Sequence, residues 1–136
     1  MKNYYRGEKF KLSKSFYEQI GGQQTFSQLV SHFYGLVAID PILRPMYPES
    51  DLKAAALRLQ LFLEQYWGGP TTYSEQRGHP RLRMRHAPFH ISRVEHDAWI
   101  KCMKQAVDGL AVEQSLKDQL WSYLSQAAAA MINASQ

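Results

Sequence analysis

Apolar residues recur at three- and four-residue spacing along four long stretches of this chain, and no stretch alternates apolar and polar residues as a half-buried strand does. Residues 26–38 place Phe26, Leu29, Val30, Phe33 and Val37 on one helical face. Residues 51–67 do the same with Leu52, Ala56, Leu59, Phe62, Leu63 and Tyr66. A third stripe runs through Val94, Trp99, Met103, Ala106 and Leu110. A fourth, from about 113 to 133, runs through Leu116, Leu120, Tyr123, Leu124, Ala127 and Met131. The fold class is all-α. Local signals set the expected boundaries. Thr25 with Gln28 and Ser92 with Glu95 read as capping boxes. Asp40-Pro41 reads as an N-cap followed by proline at the first helical position. Gly68-Gly69-Pro70 is a firm helix stop.

The 136 residues suit one domain with one core, and 45% hydrophobic content excludes whole-chain disorder. No apolar run reaches the length of a membrane span, and the opening MKNYYRGEKFKLSK is basic without the apolar stretch of a secretion signal. The single cysteine, Cys102, permits no internal disulfide. A cytoplasmic protein is expected from these features. The net charge of +4 points weakly to an acidic partner.

Residues 68–92 break the helical pattern. Three glycines and three prolines punctuate them, so a loop with at most one short helix is expected. Pro80 fits the first turn of that helix, and Pro88 should end it near His86. Leu82, Met84, Phe89 and Ile91 give the segment something to bury, which favours a functional loop.

Its centre, HPRLRMRHAP (79–88), holds three arginines and two histidines in ten residues. On a helix, Leu82 and His86 share one face and Arg81 and Arg85 another. Imidazole is thereby turned inward, with guanidinium groups at the rim. That arrangement suits a flat metal-centred ligand with carboxylates at its edge, because haem iron takes an axial imidazole and its propionates take arginine forks. A core histidine bonded to backbone, with merely solvated arginines, accounts for the same spacing. A nucleic-acid patch lacks any supporting motif, and one cysteine with two histidines seven apart makes no tetrahedral zinc set.

Tyr34, Tyr47 and Trp99 form a second constellation. Tyr34 sits off the main stripe of its helix, Tyr47 lies in the turn RPMYP, and Trp99 lies on a core-facing stripe. Converging, their O–H and N–H groups would give an apolar pocket one polar end. Taken singly, each is equally an ordinary core or edge aromatic with a local acceptor.

At this point the chain resembles the truncated haemoglobins, in particular their second, bacterial and actinobacterial group. The matching stretches are FYEQIGGQQTF (16–26), FYGLVAIDPILRPMYPESDL (33–52), RLQLFLEQYWGGPTTYSEQRGHPRLRMRHAPFHIS (58–92) and DAWIKCM (97–103). They span roughly residues 15–133. The resemblance implies a two-over-two helical sandwich with a long loop before the proximal helix. It implies a haem b cofactor, and a domain over 15–136 preceded by a basic extension over 1–14.

By position, the resemblance makes His86 the ligand to iron. Tyr34, Tyr47 and Trp99 become the donors facing a bound gas. Ala55 falls where many globins place a distal histidine. Arg58 and Arg85 fall where side chains reach the propionates, with Arg81 a further candidate. Leu59, Phe62, Leu63, Met84, Phe89 and Ile91 fall in the pocket wall. The implied partners are the diatomic gases O2, CO and NO, a reductase and further copies of the chain, with no nucleic acid and no membrane span. The implied activity is oxygen binding with slow release, joined to nitric-oxide or peroxide chemistry, or else a carrier or sensor without turnover.

Overall fold

The computed structural model describes residues 14–135. The expected extension over 1–14 therefore lies almost wholly outside the described residues. Among the described residues seven α-helices succeed one another: α1 Phe16–Ile20, α2 Gly22–Val37, α3 Lys53–Tyr66, α4 Thr72–Arg77, α5 Leu82–His86, α6 Arg93–Asp108 and α7 Gln114–Ala130. A single 3-10 turn, Arg44–Met46, lies between α2 and α3, and no strand occurs among the described residues. Helix α2 packs on both α3 and α6, and α6 packs on α7, so two helix pairs face one another across the core. Phe26, Leu29, Phe33, Val37, Leu63, Met103 and Leu120 are sealed from solvent at its centre.

The start of α2 differs from the capping signal read at Thr25. The helix begins four residues before the expected Phe26, at Gly22, and Thr25 lies inside it. The Thr25 hydroxyl donates to the Ile20 carbonyl at 2.7 Å and caps nothing downstream. The boundary is set by Gly21, whose φ of 116° turns the chain from α1 into α2. Asp40 does act as a cap: its Oδ1 accepts from the backbone N–H of both Ile42 and Leu43 at 2.9 Å. The cap opens only a turn and the 3-10 segment, which Pro45 and Pro48 keep short.

The buried face of α3 is rotated from the expected stripe. Ala55, Phe62 and Leu63 are buried, whereas Tyr66 is exposed. The helix stop is as read. Gly69 allows a very close approach: a Cβ there would lie 2.7 Å from Tyr17 Cδ1 and 2.9 Å from the Glu64 carbonyl oxygen. Gly69→Ala is expected to destabilise the fold by about 1–3 kcal/mol, the usual range for overpacking a tight site. A thermal-unfolding midpoint equal to that of the parent chain would contradict the close approach.

Two short helices, not one, occupy residues 68–92. Helix α4 escaped notice because distant groups hold it: Ser74 N–H donates to Gln65 Oε1 at 2.9 Å, and Gln65 Nε2 donates to Ser74 Oγ at 2.7 Å. Pro80 does not open α5. The helix starts at Leu82, after Arg81 adopts a left-handed φ of 46°. His79, without an evident purpose in the sequence, accepts from Arg81 N–H through Nδ1 at 3.2 Å and helps hold that turn. Pro88 comes just after the end of α5 at His86, as expected. The Ser92–Glu95 capping box opens α6 with both reciprocal bonds made.

Candidate functional site: a cavity behind His86

A cavity of about 600 Å3 lies within the two helix pairs, inside the roughly 300–1,000 Å3 range of cofactor sites. Helix α5 delivers His86 to it. The ring Nδ1 lies 2.7 Å from the Leu82 carbonyl oxygen one turn back. A carbonyl can only accept, so Nδ1 carries the proton and Nε2 keeps its lone pair. That is the tautomer a metal-binding imidazole needs. The backbone around it is clamped by Asn133, whose Nδ2 donates to the carbonyls of Phe89 at 2.8 Å and His86 at 3.3 Å. Asn133 also exchanges two bonds with Ile91, at 2.9 Å each.

Tyr34, Tyr47 and Trp99 line the same cavity. The rings of Tyr34 and Tyr47 meet edge to face, with centroids 5.5 Å apart. Burial pushes the Tyr34 phenol far up from its ordinary range, and the neighbouring Tyr47 adds to the shift. Burial also raises Tyr47, while its hydrogen-bonding contact with Tyr34 works the other way. Both phenols therefore stay neutral at ordinary pH. Phe33, wholly buried, wedges between the group's members, 4.9 Å from the Tyr34 ring and 5.4 Å from Trp99. Among the described residues no protein acceptor takes the Trp99 N–H.

Arg44 positions Tyr47, a role with no obvious signal in the sequence. Its guanidinium donates to the carbonyls of Tyr47 at 2.9 Å, Glu49 at 2.7 Å and Ser50 at 3.2 Å, which fixes the turn.

Leu59, Phe62, Leu63, Phe89, Ile91 and Ala55 also line the cavity. Met84 does not. It is 62% exposed and belongs to a separate, smaller cavity, because on so short a helix it lies half a turn from His86. Arg58 and Arg85 both border the site, but each is engaged. Arg58 pairs with Glu49 at 2.9 Å. Arg85 donates Nε to Pro80 O at 2.6 Å, and Nη2 to Arg77 O at 2.9 Å and His79 O at 3.2 Å. Arg81 is exposed and outside the lining. Sequence reading missed Tyr73, buried in the lining, and Arg77 beside it, 5.8 Å from the Tyr73 ring centroid. Both sit on α4, which the turn residues concealed. Tyr123, Leu124, Ala127 and Met131 read as plain core, yet they border the cavity.

No group of three His, Cys, Asp or Glu side chains gathers among the described residues to hold a bare ion. A largely apolar cavity with His86 in that tautomer and arginines at its edge fits a metal that brings its own macrocycle. Residues 15–133 match the bacterial-like globin family. The group 2 truncated hemoglobin of Bacillus subtilis is 45% identical over 86% of this chain and 87% of its own.

The chain belongs to the group II truncated haemoglobins.

Solved structures agree with that membership. A thermostable haemoglobin from the actinobacterium Thermobifida fusca superposes with a TM-score of 0.88 at 58% identity, covering 90% of this chain and all of that one. The truncated oxygen-avid haemoglobin from Bacillus subtilis gives 0.82 at 44% identity, over 88% of this chain and all of its own. The truncated haemoglobin fold carries haem b as its cofactor and haem-based oxygen binding as its function. No helix among the described residues is long and apolar enough to cross a membrane.

Proposed function

We propose that this truncated haemoglobin binds dioxygen tightly, releases it slowly, and uses the bound gas in redox chemistry with nitric oxide or peroxide in the cytoplasm. His86 would hold the iron through Nε2, with Arg58, Arg77 and Arg85 nearest the propionates. The observation that carries the reading is the gathering of Tyr34, Tyr47 and Trp99 in the cavity that His86 enters, with Ala55 supplying no distal imidazole. The description of the Bacillus subtilis relative as oxygen-avid supports it.

Haem iron, when bound, supplies a coordination position for a diatomic gas and pushes negative charge onto dioxygen. The chain supplies the rest. Trp99 is a donor only, and its free N–H is available to that charge. Tyr34 and Tyr47, kept neutral by burial, add O–H groups. The apolar walls of Leu59, Phe62 and Leu63 exclude water, which strengthens each contact. Phe33 keeps Tyr34 and Trp99 at fixed separation, so little reorganisation accompanies ligand arrival. In nitric-oxide dioxygenation, nitric oxide, dioxygen and one electron from a reductase combine to nitrate.

The test is rapid mixing of the oxygenated ferrous protein with nitric oxide. With a reductant present, several nitrates per haem would support turnover. Oxygen release without nitrate would leave a carrier or sensor. The tyrosines set a second expectation. Oxygen release should stay flat from neutral pH to about pH 10, where a free tyrosine is half ionised. A rise in release near that pH would mean that a phenol in the donor set ionises there, against the burial of Tyr34 and Tyr47.

A further inference from the structure

Residues 76–94 hold five arginines and three histidines and no carboxylate. Arg77 and Arg85 border the haem cavity. Arg81, Arg83 and Arg93 instead stand exposed, and among the described residues none of the three has a carboxylate within ion-pair range. Beside Arg83, Met84 is 62% exposed. A second cavity, about 340 Å3, opens between α5 and the residues after α7, lined by Arg83, Met84, Ala87, Met131, Ile132 and Asn133.

Asn133 gives this socket its meaning. It lines the socket, and its Nδ2 donates to the carbonyl of His86. The socket is thus one hydrogen bond from the backbone of the residue that would hold iron. We propose that it is the docking site of an acidic one-electron carrier protein. An acidic rim on the carrier would meet Arg81 and Arg83, and an apolar tip would cover Met84. Charge at the rim steers encounter and apolar contact at the centre gives it a fixed pose. A nucleic acid fits less well, since two arginines beside an exposed methionine do not track a phosphate backbone. Electron balance is simple. The reduced carrier loses one electron, ferric haem iron gains it, and the carrier leaves oxidised. The inference rests on the haem assignment above.

The test uses the haem-loaded protein and, as probe, an acidic 2Fe–2S ferredoxin. Oxidised ferredoxin is titrated for binding, and reduced ferredoxin is mixed with ferric protein at several salt concentrations. Arg83→Glu is expected to lower both binding and the second-order rate about tenfold at low salt, and to flatten the salt dependence. Lys53→Glu, which changes the net charge equally but lies on α3, should stay within about twofold of the parent. Reduction of both variants by dithionite should match the parent. Equal ferredoxin rates and slopes for the Arg83 and Lys53 variants would overturn the proposal. So would an Arg83→Glu variant that keeps ferredoxin binding but loses affinity for a DNA duplex or for phosphatidylserine vesicles. A purified protein without a Soret band would overturn the haem assignment itself, a failure visible before any ferredoxin is added.

Discussion

His86→Ala is expected to lose haem. Its purified form should lack the parent's Soret band or show one shifted by a different axial ligand, while far-ultraviolet dichroism stays helical. The site explains the size of the effect. His86 is the imidazole on α5, the helix that enters the cavity, and three devices serve its placement. Leu82 fixes the tautomer, the strained turn at Arg81 starts the helix, and Asn133 clamps the backbone beyond it. A non-glycine residue in the left-handed region costs of order 1–3 kcal/mol, tolerated where surrounding structure holds it in place. No other histidine has this support. His96 also lines the cavity, with its Nδ1 likewise against an acceptor, the Asp97 carboxylate at 2.8 Å, but it stands on α6 without the Asn133 clamp that holds the His86 backbone. An unchanged Soret band in His86→Ala would therefore move the iron ligand elsewhere.

Trp99→Phe is expected to release oxygen faster. The indole N–H is the one group of the three that can only donate, and it has no protein acceptor among the described residues. A neutral hydrogen bond contributes about 0.5–1.5 kcal/mol net. At about 1.4 kcal/mol per decade, its loss should speed release roughly two- to tenfold. Tyr34→Phe should have a comparable effect, because its O–H is lost while its ring contacts with Phe33 and Tyr47 are retained. The two changes should be non-additive, since both residues pack on Phe33 and act on one ligand. Rapid mixing of the oxygenated ferrous proteins with an oxygen scavenger reads these rates.

The sequence carried the fold where burial writes a period. The four long helices are amphipathic, and their stripes supply most of the sealed core, with Tyr66 and Val94 left exposed. The Ser92–Glu95 box was legible because both of its partners lie within one turn. What escaped was fixed by groups far apart in sequence. Helix α4 depends on Gln65, nine residues from Ser74. The rotation of α3, which buries Ala55 and exposes Tyr66, comes from packing against α2. Thr25 looked like a cap because the sequence shows its type and not its partner.

The site divides in the same way. Leu82 and His86 shared a face on spacing alone, and that face is the one turned to the cavity. Met84 was misread because a five-residue helix has too few turns for hydrophobicity to mark its inner side. Arg85 and Arg58 were legible as charges beside the site. Their engagement with carbonyls and with Glu49 was not. The convergence of Tyr34, Tyr47 and Trp99 could be proposed only as one arrangement among several, and it was the resemblance to truncated haemoglobins that singled it out.

The most direct measurement of the donor account compares oxygen with carbon monoxide in the ferrous protein. Oxygen bound to haem carries negative charge that Tyr34, Tyr47 and Trp99 can stabilise, whereas carbon monoxide carries far less. Trp99→Phe should therefore speed oxygen release by up to about tenfold while leaving carbon monoxide release within about twofold of the parent. Equal changes for the two gases, or no change for oxygen, would contradict it.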